Sequence, residues 1–242
     1  MIEPEVDGII SVILAVSTKG NGASRLRCRR LRREKQNRDY NDMKLFYKAG
    51  ACSLTTHIVL HETGLPHTSV AVDLKTKRTA EGDDFLAINS KGYVPALQLD
   101  NGRVLTEGAV IAQYLADLKP ESHLLAASGE ARYAVLEWMN FISTELHKGI
   151  GAFFNPAITP EWKAAATATL TKRLDWLAEA LGDNRYLYAD HFTIADAYLF
   201  NVLSWFRVVD FSLDRWPALQ RFTATHAQRP SVIAAMKSEG LM

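Results

Sequence analysis

Apolar and polar positions change rhythm part-way along the chain. From Lys44 to about Ser122, short apolar runs alternate with amphipathic stretches. Beyond Gly129 only helical spacing remains. Residues 45–47 make a first strand that stops at a Gly-containing turn, and a helix predicted over 53–63 is punctuated by Gly64 and Pro66. The β-branched stretch 67–72 reads as a strand, and 83–88 as a short helix with acidic residues in its first turn. Strands at 94–99 and 103–105 flank Asp100-Asn101-Gly102, a hairpin signal. A helix over 107–118 ends before Pro120. The order βαβαββα predicts an α/β layer with a small mixed sheet over residues 43–122. Helices predicted over 130–154, 160–181, 194–209, 218–228 and 232–240 make residues 129–242 an all-α domain. Leu170, Leu174, Leu177 and Leu181 recur at helical spacing and read as core. Thr193 and Asp196 read as a capping box that serves folding.

Composition modifies this picture at one end. The 242 residues are 48% hydrophobic, enough for one large core or two modest ones, and the net charge of +1 exerts no general pull on nucleic acid or acidic membranes. Residues 1–42 hold nine Lys/Arg against six Asp/Glu, and the remainder nineteen against twenty-one. The apolar stretch 9–16 is far short of the roughly 20 residues that span a bilayer, and Glu3, Glu5 and Asp7 carry the wrong sign for a signal peptide. The run Arg27, Arg29, Arg30, Arg32, Arg33 permits a nucleic-acid arm or a membrane-surface anchor. The break at Met43 favours a disordered basic extension over 1–42. Only Cys28 and Cys52 are present, without a CxxC motif or a Cys/His cluster. A disulfide framework and a metal site are therefore not expected, and a reducing, cytoplasmic setting is.

Candidate chemistry begins at Cys52 and Ser53, which follow the Gly50 turn into the first helix. Free N–H groups at a helix start favour an ionised thiol, although a free cysteine also serves as a small buried hydrophobe. Val94-Pro95 opens a strand; a cis bond there presents the Val94 backbone to an incoming peptide, whereas a trans bond makes Pro95 an ordinary turn residue. Thr106-Glu107-Gly108 enters a helix, where backbone N–H groups suit a carboxylate and Glu107 suits an ammonium. Glu107 also fits as a plain first-turn acid. His147 and Lys148 sit in the first helix of the α domain, where a lone His reads as structural or catalytic and Lys148 as solvated.

The order and spacing of these pieces resemble the cytosolic glutathione transferases, and specifically the bacterial beta class, over residues 43–242. The matching segments are Lys44-Leu-Phe-Tyr-Lys with Gly50-Ala-Cys52-Ser53, Val94-Pro95-Ala96-Leu97, Thr106-Glu107-Gly108 with Gln113-Tyr114-Leu115, Thr144-Glu-Leu-His-Lys148, and Phe192-Thr-Ile-Ala-Asp196-Ala-Tyr198-Leu. The resemblance does not extend to residues 1–42. It implies a thioredoxin-like N-terminal domain and an all-helical C-terminal domain. It further implies Cys52 facing the glutathione sulfur and able to form a mixed disulfide with it, Ser53 bonded to that sulfur, and His147 approaching it. Val94, ahead of cis-Pro95, pairs with the cysteinyl part; Glu107 and Gly108 take the γ-glutamyl end, Lys77 the glycyl carboxylate, and Asn140 and Thr144 line the same cleft. Where Gly108 stands the wider superfamily usually has Ser, so a hydroxyl is lost and the backbone N–H kept. Phe153, Phe154, Trp205 and Phe206 border a pocket for apolar electrophiles or belong to the core. The implied activity is conjugation of the glutathione thiolate to such electrophiles by a homodimer, with glutathione as cosubstrate and no bound cofactor or metal. A glutathione-dependent thiol-disulfide reductase or peroxidase, working through Cys52, is the alternative on the same scaffold. A non-catalytic binding or regulatory module is the second.

Overall fold

The computed structural model describes residues 43–209 and 211–242; the extension expected over 1–42 lies outside them. The first strand, β1 (Met43–Tyr47), pairs in parallel with β2 (His67–Asp73) through the crossover helix α1 (Ser53–Thr63). Gly64 closes α1 in the left-handed region, its N–H on the Leu60 carbonyl at 2.9 Å. An edge strand missing from the sequence reading, β3 (Arg78–Thr79), folds antiparallel onto β2. It is two residues long, too short to leave a period-2 pattern. After the one-turn helix α2 (Phe85–Ile88), capped by the Asp84 carboxylate on the Leu86 N–H, come β4 (Ala96–Gln98) and β5 (Val104–Thr106). They form the expected hairpin, with the Leu99 N–H on the Arg103 carbonyl at 2.8 Å. The sheet order is β3-β2-β1-β4-β5, mixed as anticipated. Helix α3 (Gly108–Leu118) completes this thioredoxin-like layer.

Alternation along β1 divides the core. Leu45 joins Leu54, Ile58, Leu97, Ile111 and Leu115, and this cluster runs on into Leu146, Ile194, Leu199 and Val202 of the helical domain. Phe46 points the other way, onto Val70, Val72, Phe85, Val94 and Ala96. One continuous core therefore crosses the domain junction.

The helical domain departs from its sequence reading in its first and third helices. The stretch 130–154 is not one helix. It is α4 (Glu130–Phe141), a π turn (Ile142–His147), α5 (Lys148–Gly151) and a 3₁₀ turn (Ala152–Phe154). A π turn brings residues five apart together, a spacing that the search for 3.6-residue periodicity does not detect. Helix α6 (Pro160–Leu181) starts with Thr159 as its cap and buries all four leucines of the stripe. Helix α7 (Ile194–Ser204) ends five residues early, in a 3₁₀ turn (Trp205–Arg207). Its capping box forms as read, with the Thr193 N–H and hydroxyl both on Asp196 Oδ2, at 2.8 and 2.7 Å. The Leu187 N–H takes the other carboxylate oxygen. Helices α8 (Pro217–Ala227) and α9 (Pro230–Ser238) complete the chain. Among the described residues no helix is long and apolar enough to cross a membrane.

Candidate functional site

The turn between β1 and α1 is held from two sides. Within it, the Ala51 N–H reaches the Lys48 carbonyl at 3.0 Å, and Gly50 takes φ 71°, where a side chain would be strained. From the helical domain, Trp205 donates its indole N–H to the Gly50 carbonyl at 2.9 Å. Glu239 accepts the Gly50 N–H at 2.8 Å, and Asn201 donates to the Ala51 carbonyl at 3.2 Å. The turn delivers Cys52 to the first position before α1.

Across from it, Val94-Pro95 is cis, and the Cys52 thiol donates to the Val94 carbonyl at 3.0 Å. At the end of β5, Glu107 sits at φ 71°, ψ 107°, a backbone state that L-residues rarely adopt, and Gly108 begins α3. A Cβ on Gly108 would lie 3.4 Å from the Pro95 ring. Lys91 and the Tyr93 hydroxyl both bond the Glu107 carboxylate, and the bond from Lys91 is what chiefly holds it below the usual carboxylate range. Cys52, Val94, Pro95, Glu107, Gly108 and His147 line one cleft of about 350 Å³.

The structure also moves several predicted residues away from it. Ser53 is fully buried, and its hydroxyl exchanges hydrogen bonds with the N–H and carbonyl of Lys48. It shapes the turn and does not face the cleft. Lys77 does not line the cleft but stays at its rim, its ammonium 2.6 Å from the carbonyl of Gly92, the residue before the cleft-lining Tyr93. Asn140 and Thr144 are exposed, the Thr144 hydroxyl donating to the Asn140 carbonyl, because the π turn rotates Ser143, His147 and Lys148 to the cleft instead. Phe206 is core, and Phe153 packs on Phe211. Trp205 is buried behind the cleft, edge-on to His147 at 4.8 Å and to the exposed Phe154 at 6.1 Å, and neither Trp205 nor Phe154 lines the cleft itself.

Residues that the sequence reading passed over fill the rest. Thr55, Tyr93, Ser143, Lys148 and Tyr198 also line the cleft. Lys148 stood beside His147 in the motif, and Tyr198 stood inside a segment read only as a helix cap. Neither carries a local signal of its own.

The electrostatics reverse one expectation. Burial pushes the Cys52 thiol up to about 11, outweighing the N–H groups of Cys52 and Ser53 and the nearby Lys148 charge. The helix start does favour the thiolate, but desolvation costs more. His147 is likewise pushed down to about 4, first by burial and then by Lys148, so its imidazole is neutral at pH 7. Its Nδ1 lies 2.6 Å from the Tyr198 hydroxyl.

This arrangement of a cysteine turn, a cis-proline strand and a helix start under a helical domain matches the glutathione S-transferase N-terminal domain over residues 49–118, and its C-terminal domain over 160–229. The chain belongs to the glutathione S-transferase family. It is 49% identical over 200 residues to glutathione S-transferase GstA of Escherichia coli O157:H7, a match covering 82% of this chain and all of that protein. The bacterial beta class enzyme of Sphingomonas chungbukensis superposes with a TM-score of 0.79 at 42% identity, over 82% of this chain and all of that one. A sphingomonad glutathione S-transferase solved with glutathione does so with 0.78 at 42%, over the same shares.

Proposed function

We propose that the cleft binds glutathione, stabilises its thiolate and directs it at apolar electrophiles. The observation that carries this reading is the convergence of Cys52, the Val94 backbone before cis-Pro95, anionic Glu107 and neutral His147 on one cleft. Val94 pairs with the cysteinyl part of the tripeptide. The Glu107 carboxylate takes the α-ammonium and the α3 N-terminus the α-carboxylate. Lys77 serves the glycyl carboxylate. The exposed Phe154 ring, packed on Trp205, offers the electrophile an apolar surface. Glutathione supplies the nucleophile. Cys52, protonated, is a hydrogen-bond donor that the incoming sulfur takes over from the Val94 carbonyl, and the rate gain comes from thiolate stabilisation and from positioning the two reactants. The active form is a cytoplasmic homodimer that uses glutathione as cosubstrate.

The test is glutathione binding by calorimetry and conjugation to an activated aryl halide, for wild type and Cys52→Ala. Conjugation that persists at a reduced level in Cys52→Ala supports the reading. No glutathione binding by the wild type would remove it. Disulfide reduction that vanishes with Cys52 while conjugation is negligible in both proteins would favour the reductase.

A further inference from the structure

The role of His147 depends on which ring nitrogen carries the proton, because a neutral imidazole is a donor at one nitrogen and an acceptor at the other. Two contacts bear on that choice. The Tyr198 hydroxyl lies 2.6 Å from Nδ1. The Trp205 ring packs edge-on against the imidazole, at an interplanar angle of 70°, which restrains it from turning over.

Tyr198 is 5% exposed, and burial raises its phenol well above the usual range, so its proton stays on. A phenol O–H is a strong donor, and a bare imidazole nitrogen is a better acceptor than a phenol oxygen. At 2.6 Å the Tyr198 proton is therefore directed at Nδ1. We propose that Tyr198 is a positioning residue that fixes His147 as its Nε2–H tautomer, so that the ring meets the cleft as a hydrogen-bond donor. This rests on the reading that His147 serves the glutathione sulfur. The opposite polarity, with Nδ1–H donating to Tyr198, would make Nε2 a bare base, a different chemistry from the same contacts.

The experiment is ring-nitrogen NMR on the full chain labelled with ¹⁵N-histidine at pH 7, assigned with His147→Asn, alongside kinetics of Tyr198→Phe and Ser143→Ala. The expected result is a wild-type ring protonated at Nε2 and hydrogen-bonded at a bare Nδ1. Tyr198→Phe should lose the hydrogen-bonded Nδ1 signature and about ten-fold in kcat, with the KM for glutathione within about two-fold. Ser143→Ala, a change in the same cleft that spares the Tyr198 hydroxyl, should leave the ring signature in place. A wild-type ring protonated at Nδ1 overturns the proposal, as does an unchanged ring signature or unchanged kcat in folded Tyr198→Phe. The wild-type ring measurement needs neither turnover nor a stable variant. It therefore decides on Tyr198 even if Tyr198→Phe does not fold, and it stands apart from any failure of the conjugation assay.

Discussion

Trp205 donates its indole N–H to the carbonyl of Gly50, 2.9 Å away, so that a 3₁₀ turn of the helical domain holds the turn that carries Cys52. The same indole packs against His147. One side chain thus braces both sides of the cleft, and the helical domain contributes to the cysteine's placement as much as the sheet does.

Trp205→Phe keeps most of the buried ring and removes the donor. The expected cost is about 1–3 kcal/mol of stability, since the Gly50 carbonyl is left without this partner, together with weaker glutathione binding. Chemical denaturation and a glutathione titration check the two effects. A stable variant with unchanged affinity would show that the brace is dispensable.

Glu107 is anionic and already bonded to Lys91 and Tyr93. Glu107→Gln preserves shape and removes the charge offered to the α-ammonium. Glutathione affinity is expected to fall about ten-fold, the scale of one charge-assisted hydrogen bond. Calorimetry measures it. An unchanged dissociation constant would place the γ-glutamyl end elsewhere.

Alkylation of Cys52 tests the direction of its shift. A thiol pushed up to about 11 by burial gives a rate that is still climbing well above pH 8, because only the thiolate attacks. Following the Cys52 peptide by mass spectrometry separates it from Cys28. A rate that levels off near neutrality would mean that the helix start has prevailed over burial after all.

His226 is buried, bonded to the Arg185 carbonyl at 2.9 Å, and pushed down to about 4 by burial from an ordinary 6.5. Its folded-state value is depressed, so the unfolded chain binds the proton more readily. The stability it contributes is complete above about 6.5 and is lost as pH falls toward 4. Between pH 7 and 5, wild type should lose about 2 kcal/mol more than His226→Gln. Asp196 acts in the opposite sense: burial raises it to about 6, so its contribution grows as pH falls below that value. Urea unfolding at the two pH values measures the difference between the proteins, in which the Asp196 contribution cancels. Equal losses would refute the assignment to His226.

The sequence by itself determined the elements and their order. Leu45 and Phe46 alternate onto opposite faces of the sheet, Gly64 closes α1, and the leucines of α6 share one stripe; each depends on neighbours a few residues away, so each is legible in a short window. Cys52, Val94-Pro95, Glu107 and His147 were also found there, because a turn, a proline and a helix start leave local marks. What only the tertiary structure decided is which way side chains face once distant segments meet. Ser53 adjoins Cys52 in sequence yet is spent on Lys48. The π turn exchanges Asn140 and Thr144 for Ser143 and Lys148 at the cleft. Tyr198 reaches His147 across 51 positions. The ionisation of Cys52 and His147 belongs to the same class. A helix start is visible in sequence, but the desolvation that outweighs it comes from the whole core closing around the cleft.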